Sequence, residues 1–425
     1  MSAMLFSRIF PAFLFFWLGV CGVGFSNEVL TWEDCLKEAA IHHPDLIAAR
    51  EEIVQGQTAK IIAASDGLPQ VTANVSGTAS RSDSSGGGKT FDYGASGTQL
   101  IFDGLKTINN VRAASETITA AKENFKFTSA EVRLRLRAAF VNLLKAQELV
   151  SLTETIYKIR KDNLDLITLR YQSGTEHKGA LLTARANVAQ AEFEIHQARR
   201  DVEAAQRQLL KELGLMEFLP ILVKGSFDAS EPVAPPPEFE KLAGAHPSIL
   251  KIDAEKNAAA FDVKADQGDL WPEISVTGDI SKSDNSWPPD EKGSSAGFRV
   301  SLPLFEGGAR LARVAQSKSI YRQLTEQERS LRDGIVLALE QAWNDWQDAV
   351  ETVKVQNDFL NASEERAKIA EEQYSVGLIS FDNWTIIEDD LVRNKKTFLN
   401  TQANALLAEA QWIQAKGETL EYENK

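Results

Sequence analysis

The chain is written twice. His43-Pro44 returns as His246-Pro247, an offset of 203 residues from His43 to His246. The same offset carries Pro69 onto Pro272, Phe102-Asp103-Gly104 onto Phe305-Glu306-Gly307, and Ala139-Phe140 onto Ala342-Trp343. Tyr171 and Gly174 fall on Tyr374 and Gly377, and Gly214 on Gly417. A duplication on this scale means that one supersecondary design, used twice, must account for the whole fold. The expected division is a first repeat over 27–230 and a second over 238–425. A proline-rich linker over 231–237 joins them and should be extended and exposed.

The N-terminal segment is a processing signal. Arg8 is the lone charge in residues 1–26, Ile9–Val20 is apolar apart from Pro11, and small residues lead to Ser26. This is a secretory leader cut after Ser26. A lipoprotein leader with Cys21 lipidated is the second reading, disfavoured by the bulk of Val20. Either way the chain leaves the cytosol. Its net charge is −14, and losing Arg8 makes the mature chain more negative still. That balance argues against nucleic acid as a partner. With Cys21 gone, Cys35 stands alone, so neither an intrachain disulfide nor a thiolate metal site is expected. After residue 26 no run has the 18 or so apolar residues of a membrane helix. A secreted chain of this kind is soluble or crosses a membrane as strands.

Proline is absent from Gly104 to Leu219 and from Leu304 to Lys425, and both stretches are rich in strong helix formers. Val132, Leu136, Phe140, Leu143 and Leu144 recur at helical spacing, as do Ile335, Leu339, Ala342, Trp343 and Trp346. The expected helices are 31–66, 104–172 and 178–213 in the first copy, and 238–269, 307–375 and 380–417 in the second. Gly174 and Gly377 mark the turns of two helical hairpins. Residues 104–172 would run about 100 Å as one helix. The two shorter helices of each copy, stacked end to end, match that length.

Between the helices lie strands with period-two alternation, expected over 69–81 and 91–102, and over 273–282 and 294–305. Val71, Ala73, Val75 and Ala79 oppose Thr72, Asn74, Ser76 and Thr78. Ile274, Val276 and Ile280 oppose Ser275, Thr277 and Asp279, and Phe298, Val300 and Leu302 oppose Arg299 and Ser301. Such lengths suit tilted strands in a bilayer, with one face to lipid and one to a wet lumen. Thr277, Asp279 and Arg299 are the candidate lumen-facing residues. Phe91, Tyr93, Trp271 and Trp287 near strand ends favour the membrane reading. Four strands cannot close a barrel by themselves, and open edges in lipid are costly. Strands that span a membrane must therefore be shared among several chains.

Other patterns point elsewhere and fail. Ser85-Gly86-Gly87-Gly88-Lys89-Thr90 lacks the first glycine of a phosphate loop, where Asp83 stands. It reads as an external loop between strands. The histidines lack paired metal spacing, and the His-Pro steps suit helix turns. No nucleophile–base set is present, so neither an enzyme nor a cofactor is expected.

Taken in order, the motifs resemble the TolC-like outer-membrane efflux proteins. Leu30-Thr31-Trp32-Glu33-Asp34-Cys35-Leu36 and His43-Pro44-Asp45-Leu46 look like the family's opening. Leu68-Pro69, Phe102-Asp103-Gly104, Phe305-Glu306-Gly307-Gly308, Arg170-Tyr171-Gln172-Ser173-Gly174 and Glu372-Gln373-Tyr374-Ser375-Val376-Gly377 carry the rest. The resemblance implies a mixed α/β membrane protein, a homotrimer whose twelve strands form one β-barrel in outer-membrane lipid. A periplasmic α-barrel continues it. It also implies an exit duct for efflux or type I secretion, partnered by a periplasmic adaptor and an inner-membrane pump. Tyr171, Gly174, Tyr374, Gly377 and Asp382 would form the periplasmic tip, its gate and its adaptor-docking face. Some members place an arginine where Ile379 stands, and acids where Asn383 and Ile386 stand, so their ionic gate does not carry over. The competing reading is a non-conducting periplasmic coiled-coil spacer anchored at the outer membrane.

Overall fold

A computed structural model describes residues 29–82, 86–232 and 235–420. The leader, the Cys21 alternative and part of the proline-rich linker lie outside the described residues. A two-residue strand β1 (Val29–Leu30) opens the described residues, followed by α1 (Trp32–His42) and α2 (Pro44–Ser65). The hairpin β2 (Gln70–Ser82) and β3 (Gly86–Phe102) leads into α3 (Lys106–Gln172) and α4 (Lys178–Leu213). After β4 (Leu222–Val223) the plan repeats. It runs as α5 (Phe239–Gly244), α6 (Pro247–Gly268), β5 (Glu273–Asp284), β6 (Glu291–Ser301), α7 (Ala309–Ser375) and α8 (Phe381–Ala415).

The first helix of each copy is two helices, and proline is the reason. Proline disfavours helical geometry at the residue before it. His43 accordingly has ψ 123° and His246 ψ 135°. Each then caps the next helix, with Pro44 and Pro247 in its first turn. His43 Nδ1 accepts from the Asp45 amide at 3.1 Å, and His246 Nδ1 from the Ser248 amide at 3.2 Å. Continuous helices over 31–66 and 238–269 are thus corrected to helix–turn–helix. Thr31 starts α1 with a capping box, its backbone N–H donating to Asp34 at 3.0 Å.

Helices α3 and α7 have 67 residues each, about 100 Å at 1.5 Å per residue. Helix α2 packs along the first part of α3, and α4 along the remainder. The first core joins Cys35, Leu36 and Ala39 of α1 to Leu136, Phe140 and Leu143 of α3 and to Leu209 and Leu213 of α4. Burial pushes the Cys35 thiol up to about 12, so it is an inert core group. The second copy substitutes tryptophan at three equivalent core positions. Trp343 stands for Phe140, Trp346 for Leu143 and Trp412 for Leu209. Trp343 meets Trp412 edge-on at 5.1 Å and Trp346 at 5.5 Å. A parallel ribbon of β1 on β4 ties the start of the first copy to the passage between copies. No period-two pattern announces strands that short.

The four long strands form one antiparallel sheet in the order β2-β3-β5-β6. Two strands depart by more than two residues from the bounds that the side-chain pattern predicts. β6 covers 291–301 and not 294–305: its ladder ends at Ser301, before Pro303, which has no N–H to give. Gly86–Thr90 belongs to β3, paired with Thr78–Ser82, and not to a loop. A glycine run has no alternating pattern to read, whereas the ladder uses backbone groups alone. Among the described residues no helix is long and apolar enough to cross a membrane.

Candidate functional site

Register sorts the sheet into two faces. Gln70, Thr98, Thr277 and Gly297 stand in one row, and Thr72, Ser96, Asp279 and Ser295 in the next. Asn74, Gly94, Ser281 and Gly293 follow, then Ser76, Asp92, Ser283 and Glu291. This face is polar from edge to edge. Ser295 donates to Asp279, and Ser76 to Asp92. Arg299 lies opposite Ser275 on the same face. The structure thus brings Thr277, Asp279 and Arg299 onto one surface.

The other face carries Val71, Val75, Val276, Ile280, Phe298 and Val300. Val71 is 76% exposed and Phe298 80%. A contiguous apolar sheet face is not left to water in a soluble monomer. The outer strands β2 and β6 each pair on one side only, so two rows of ladder groups face outward.

At the far end of the helices, two tight turns sit side by side. Residues 173–177 join α3 to α4, and 376–380 join α7 to α8. Gly174 has φ 77° and Gly377 φ 80°, the left-handed region that glycine enters without penalty. The returning amides close the turns: Thr175 N–H donates to Arg170 O at 2.9 Å, and Leu378 N–H to Gln373 O at 2.8 Å. His177 and Ser380 cap the returning helices.

Tyr374 is the hub of this tip and is 1% exposed. Its ring stacks on Trp384 at 4.5 Å and 9°, and the Arg170 guanidinium lies 4.6 Å from its centroid. Its hydroxyl donates to Glu176 Oε2 at 2.7 Å. Arg170 also donates to the Tyr374 carbonyl at 3.2 Å. Burial pushes the Tyr374 phenol well above its ordinary value, and the Glu176 hydrogen bond and charge add to this. The phenol is therefore a fixed donor across the physiological range. Glu176 and Arg170 come from the first copy, so the contact stitches the two hairpins together. Arg160 to Asp389, and Lys396 to Glu194 at 2.7 Å, continue the seam along the helices.

The duplicated tyrosines part company here. Tyr171 is 39% exposed and stands outside this cluster, as does Asp382 in the exposed first turn of α8. Sequence reasoning missed Glu176 and Trp384. The offset that aligns Tyr171 with Tyr374 aligns Glu176 with Ile379 and Trp384 with Leu181. The partners of Tyr374 therefore have no counterparts that comparison of the copies could reveal.

Glu388 is 6% exposed one turn beyond Trp384. Its Oε2 and the Trp384 Nε1 lack hydrogen-bond partners among the described residues. Both residues line a cavity of about 10 Å³ with Arg160, Asn163 and Asn187, the size of one water. Burial pushes the Glu388 carboxyl up, as do Glu371 and Asp389, against the opposing pull of Arg160 and a hydrogen bond from Asn163.

A sheet with one polar and one apolar face is carried here on about 100 Å of paired helices. The model of the outer membrane efflux protein family aligns with residues 35–215 and again with 240–424. The chain belongs to this family. It is therefore an outer-membrane protein of the TolC-like channel class, its helical part in the periplasm.

Among curated relatives, the outer membrane efflux protein BepC of Brucella suis is 24% identical over 335 residues, covering 77% of this chain and 73% of the relative. The outer membrane protein TolC of Escherichia coli is 21% identical, covering 73% of this chain and 66% of the relative. The alkaline protease secretion protein AprF of Pseudomonas aeruginosa is 25% identical over 52% of this chain and 47% of its own. Among solved structures, CusC superposes with TM-score 0.82 at 17% identity, over 90% of this chain and 91% of its own. The Campylobacter jejuni CmeC channel gives 0.82 at 16%, over 93% of this chain and 90% of its own. The open Neisseria gonorrhoeae MtrE channel gives 0.80 at 17%, over 91% of this chain and 89% of its own. These likenesses are of fold.

Proposed function

We propose that three copies of this chain form a passive exit duct through the outer membrane. The observation that carries this is the two-faced sheet with both edges open. Strand β6 of one copy pairs with β2 of the next, and three copies close a barrel with no edge left in lipid. The apolar face meets lipid. The polar face, with Thr277, Asp279 and Arg299, lines the lumen, and its charges tune permeation.

The long helices continue the duct across the periplasm. The tip is its constriction, held by Tyr374, Glu176 and Arg170. The turns at Gly174 and Gly377, with the exposed Tyr171 and Asp382, form the face that meets a periplasmic adaptor. The adaptor couples the duct to an inner-membrane pump, which supplies the energy, so this chain conducts and does not catalyse. The cargo class is that of an efflux or type I secretion system, in keeping with the efflux named for BepC and the alkaline protease secretion named for AprF.

Mass measurement of the purified protein should give a trimer, and planar bilayers should show discrete conductance steps. A folded monomer, or a trimer without conductance, would leave the spacer reading in its place.

A further inference from the structure

Near the hairpin end of the sheet, the apolar face ends in a row of unusual composition. Val75, Tyr93, Lys282 and Lys292 stand side by side, with Lys282 directly opposite Lys292. Like charges directly opposite in a ladder destabilise it. The equivalent pair of the first hairpin is Ala79 opposite Lys89, so the doubled charge is particular to the second copy. The counter-charges supplied by the chain are slight. Lys282 Nζ is 3.7 Å from Asp290, whose side chain is 89% exposed, and such surface pairs contribute little. Asp284, opposite Phe91 in the next row, is the other acid on this face.

Aromatic rings border the row. Trp287 meets Phe91 edge-on at 6.1 Å and Tyr93 at 6.3 Å, and Trp287 is 60% exposed. Rings of this kind mark the level of the headgroups. Tyr93, Ile280, Lys282 and Lys292 line an open groove of about 520 Å³. Its lower part is apolar and its upper part basic. In a chain of net charge −14, this is a cationic patch at the end of the apolar face.

We infer that Lys282 and Lys292 clamp the phosphate of a multiply phosphorylated lipid of the outer leaflet, with Tyr93 and Trp287 flanking its headgroup and Ile280 its chains. The inference rests on the barrel reading. With the helices in the periplasm, the hairpin ends of the strands lie at the outer surface, where such a headgroup would be. A phosphate between the lysines turns their repulsion into two charge-assisted contacts.

The test uses the full-length protein in detergent. Binding of diphosphoryl lipid A, phosphatidylglycerol and phosphatidylcholine is measured by native mass spectrometry, for the wild type and for K282Q/K292Q. Lipid A should bind best. The double variant should bind it about 30-fold more weakly, as expected for two surface lysines. Either single variant should fall between, should the double variant assemble poorly. Equal binding of lipid A by wild type and variants overturns the inference, as does phosphatidylglycerol or phosphatidylcholine binding as tightly as lipid A. The same preparations are scored for trimer mass and conductance. A conducting trimer that does not distinguish these lipids sinks the lipid site alone, whereas a wild type that neither trimerises nor conducts sinks the duct.

Discussion

Gly214 lies against the carbonyl of His42: a Cβ added to the glycine would stand 2.2 Å from that oxygen. This contact joins the end of α4 to the joint between α1 and α2. Just beside it, His43 Nε2 is 3.5 Å from Glu212, with both side chains buried. The second copy repeats the arrangement, a Cβ on Gly417 falling 2.4 Å from Pro247 Cδ. Two half-length helices can therefore stack against a full-length one only because glycine ends the first. Gly214 also has φ 77°. Gly214→Ala should thus lower stability by about 1–3 kcal/mol from overpacking, with backbone strain in addition. Thermal unfolding checks this. Gly174→Ala is the control, since nothing lies within 4 Å of its Cβ and only the backbone term acts.

The two faces of β5 should differ in what they tolerate. On the proposed barrel Val276→Arg puts a charge toward lipid, and near the midplane it should cost about 2–4 kcal/mol. On the proposed barrel Thr277→Arg points into the lumen, and it should assemble nearly as the wild type does. Heat-resistant trimer in outer-membrane fractions is the readout, and equal yields would show the faces to be wrongly assigned.

Tyr374→Phe keeps the stack on Trp384 and deletes the bond to Glu176. A hydrogen bond to a charged group contributes about 1.5–3 kcal/mol. Its loss should loosen the seam between the hairpins and raise single-channel conductance while trimer yield holds. Unchanged conductance would place the constriction elsewhere.

Gly377→Val tests the turn itself. The left-handed φ of 80° is strained for any L residue, and most for a β-branched one. The tip should distort while the distant barrel stays intact. Adaptor crosslinking and export should fall together in a well-inserted trimer, and normal docking would show that this turn is not the functional end.

Glu388 predicts a pH dependence confined to the tip. Its carboxyl is raised above the ordinary value of 4.5, so the folded tip holds this proton more tightly than the unfolded chain. The stability it contributes is greatest below pH 4.5 and is lost as pH rises through the folded value. Glu194, lowered by its bonds to Lys396 and Gln190 despite its burial, works in the opposite sense. The difference between wild type and Glu388→Gln isolates the Glu388 part. Hydrogen exchange at the tip should show protection falling with pH in the wild type relative to the variant, and parallel profiles would refute the assignment.

Periodicity alone established a great deal, because it reports short-range geometry. Helical spacing from Val132 to Leu144 and alternation from Val71 to Ala79 each follow from which side of an element must be buried. The offset from His43 to His246 revealed that the design is used twice. The family emerged from the order of the motifs. Side-chain periodicity does not report where the backbone makes its own rules, and it reports nothing of which elements pack together. Pro44 and Pro247 broke two helices at the residue before them, and Pro303 falls beyond the end of its ladder. Gly86–Thr90 joined a strand because ladders need amides and not side chains. The sharpest case is the tip. Tyr171 and Tyr374 occupy matched positions, yet one is exposed and the other is sealed between Arg170 and Trp384. Neighbours brought together by packing of the two copies made that difference, and no pattern local to either tyrosine encodes them.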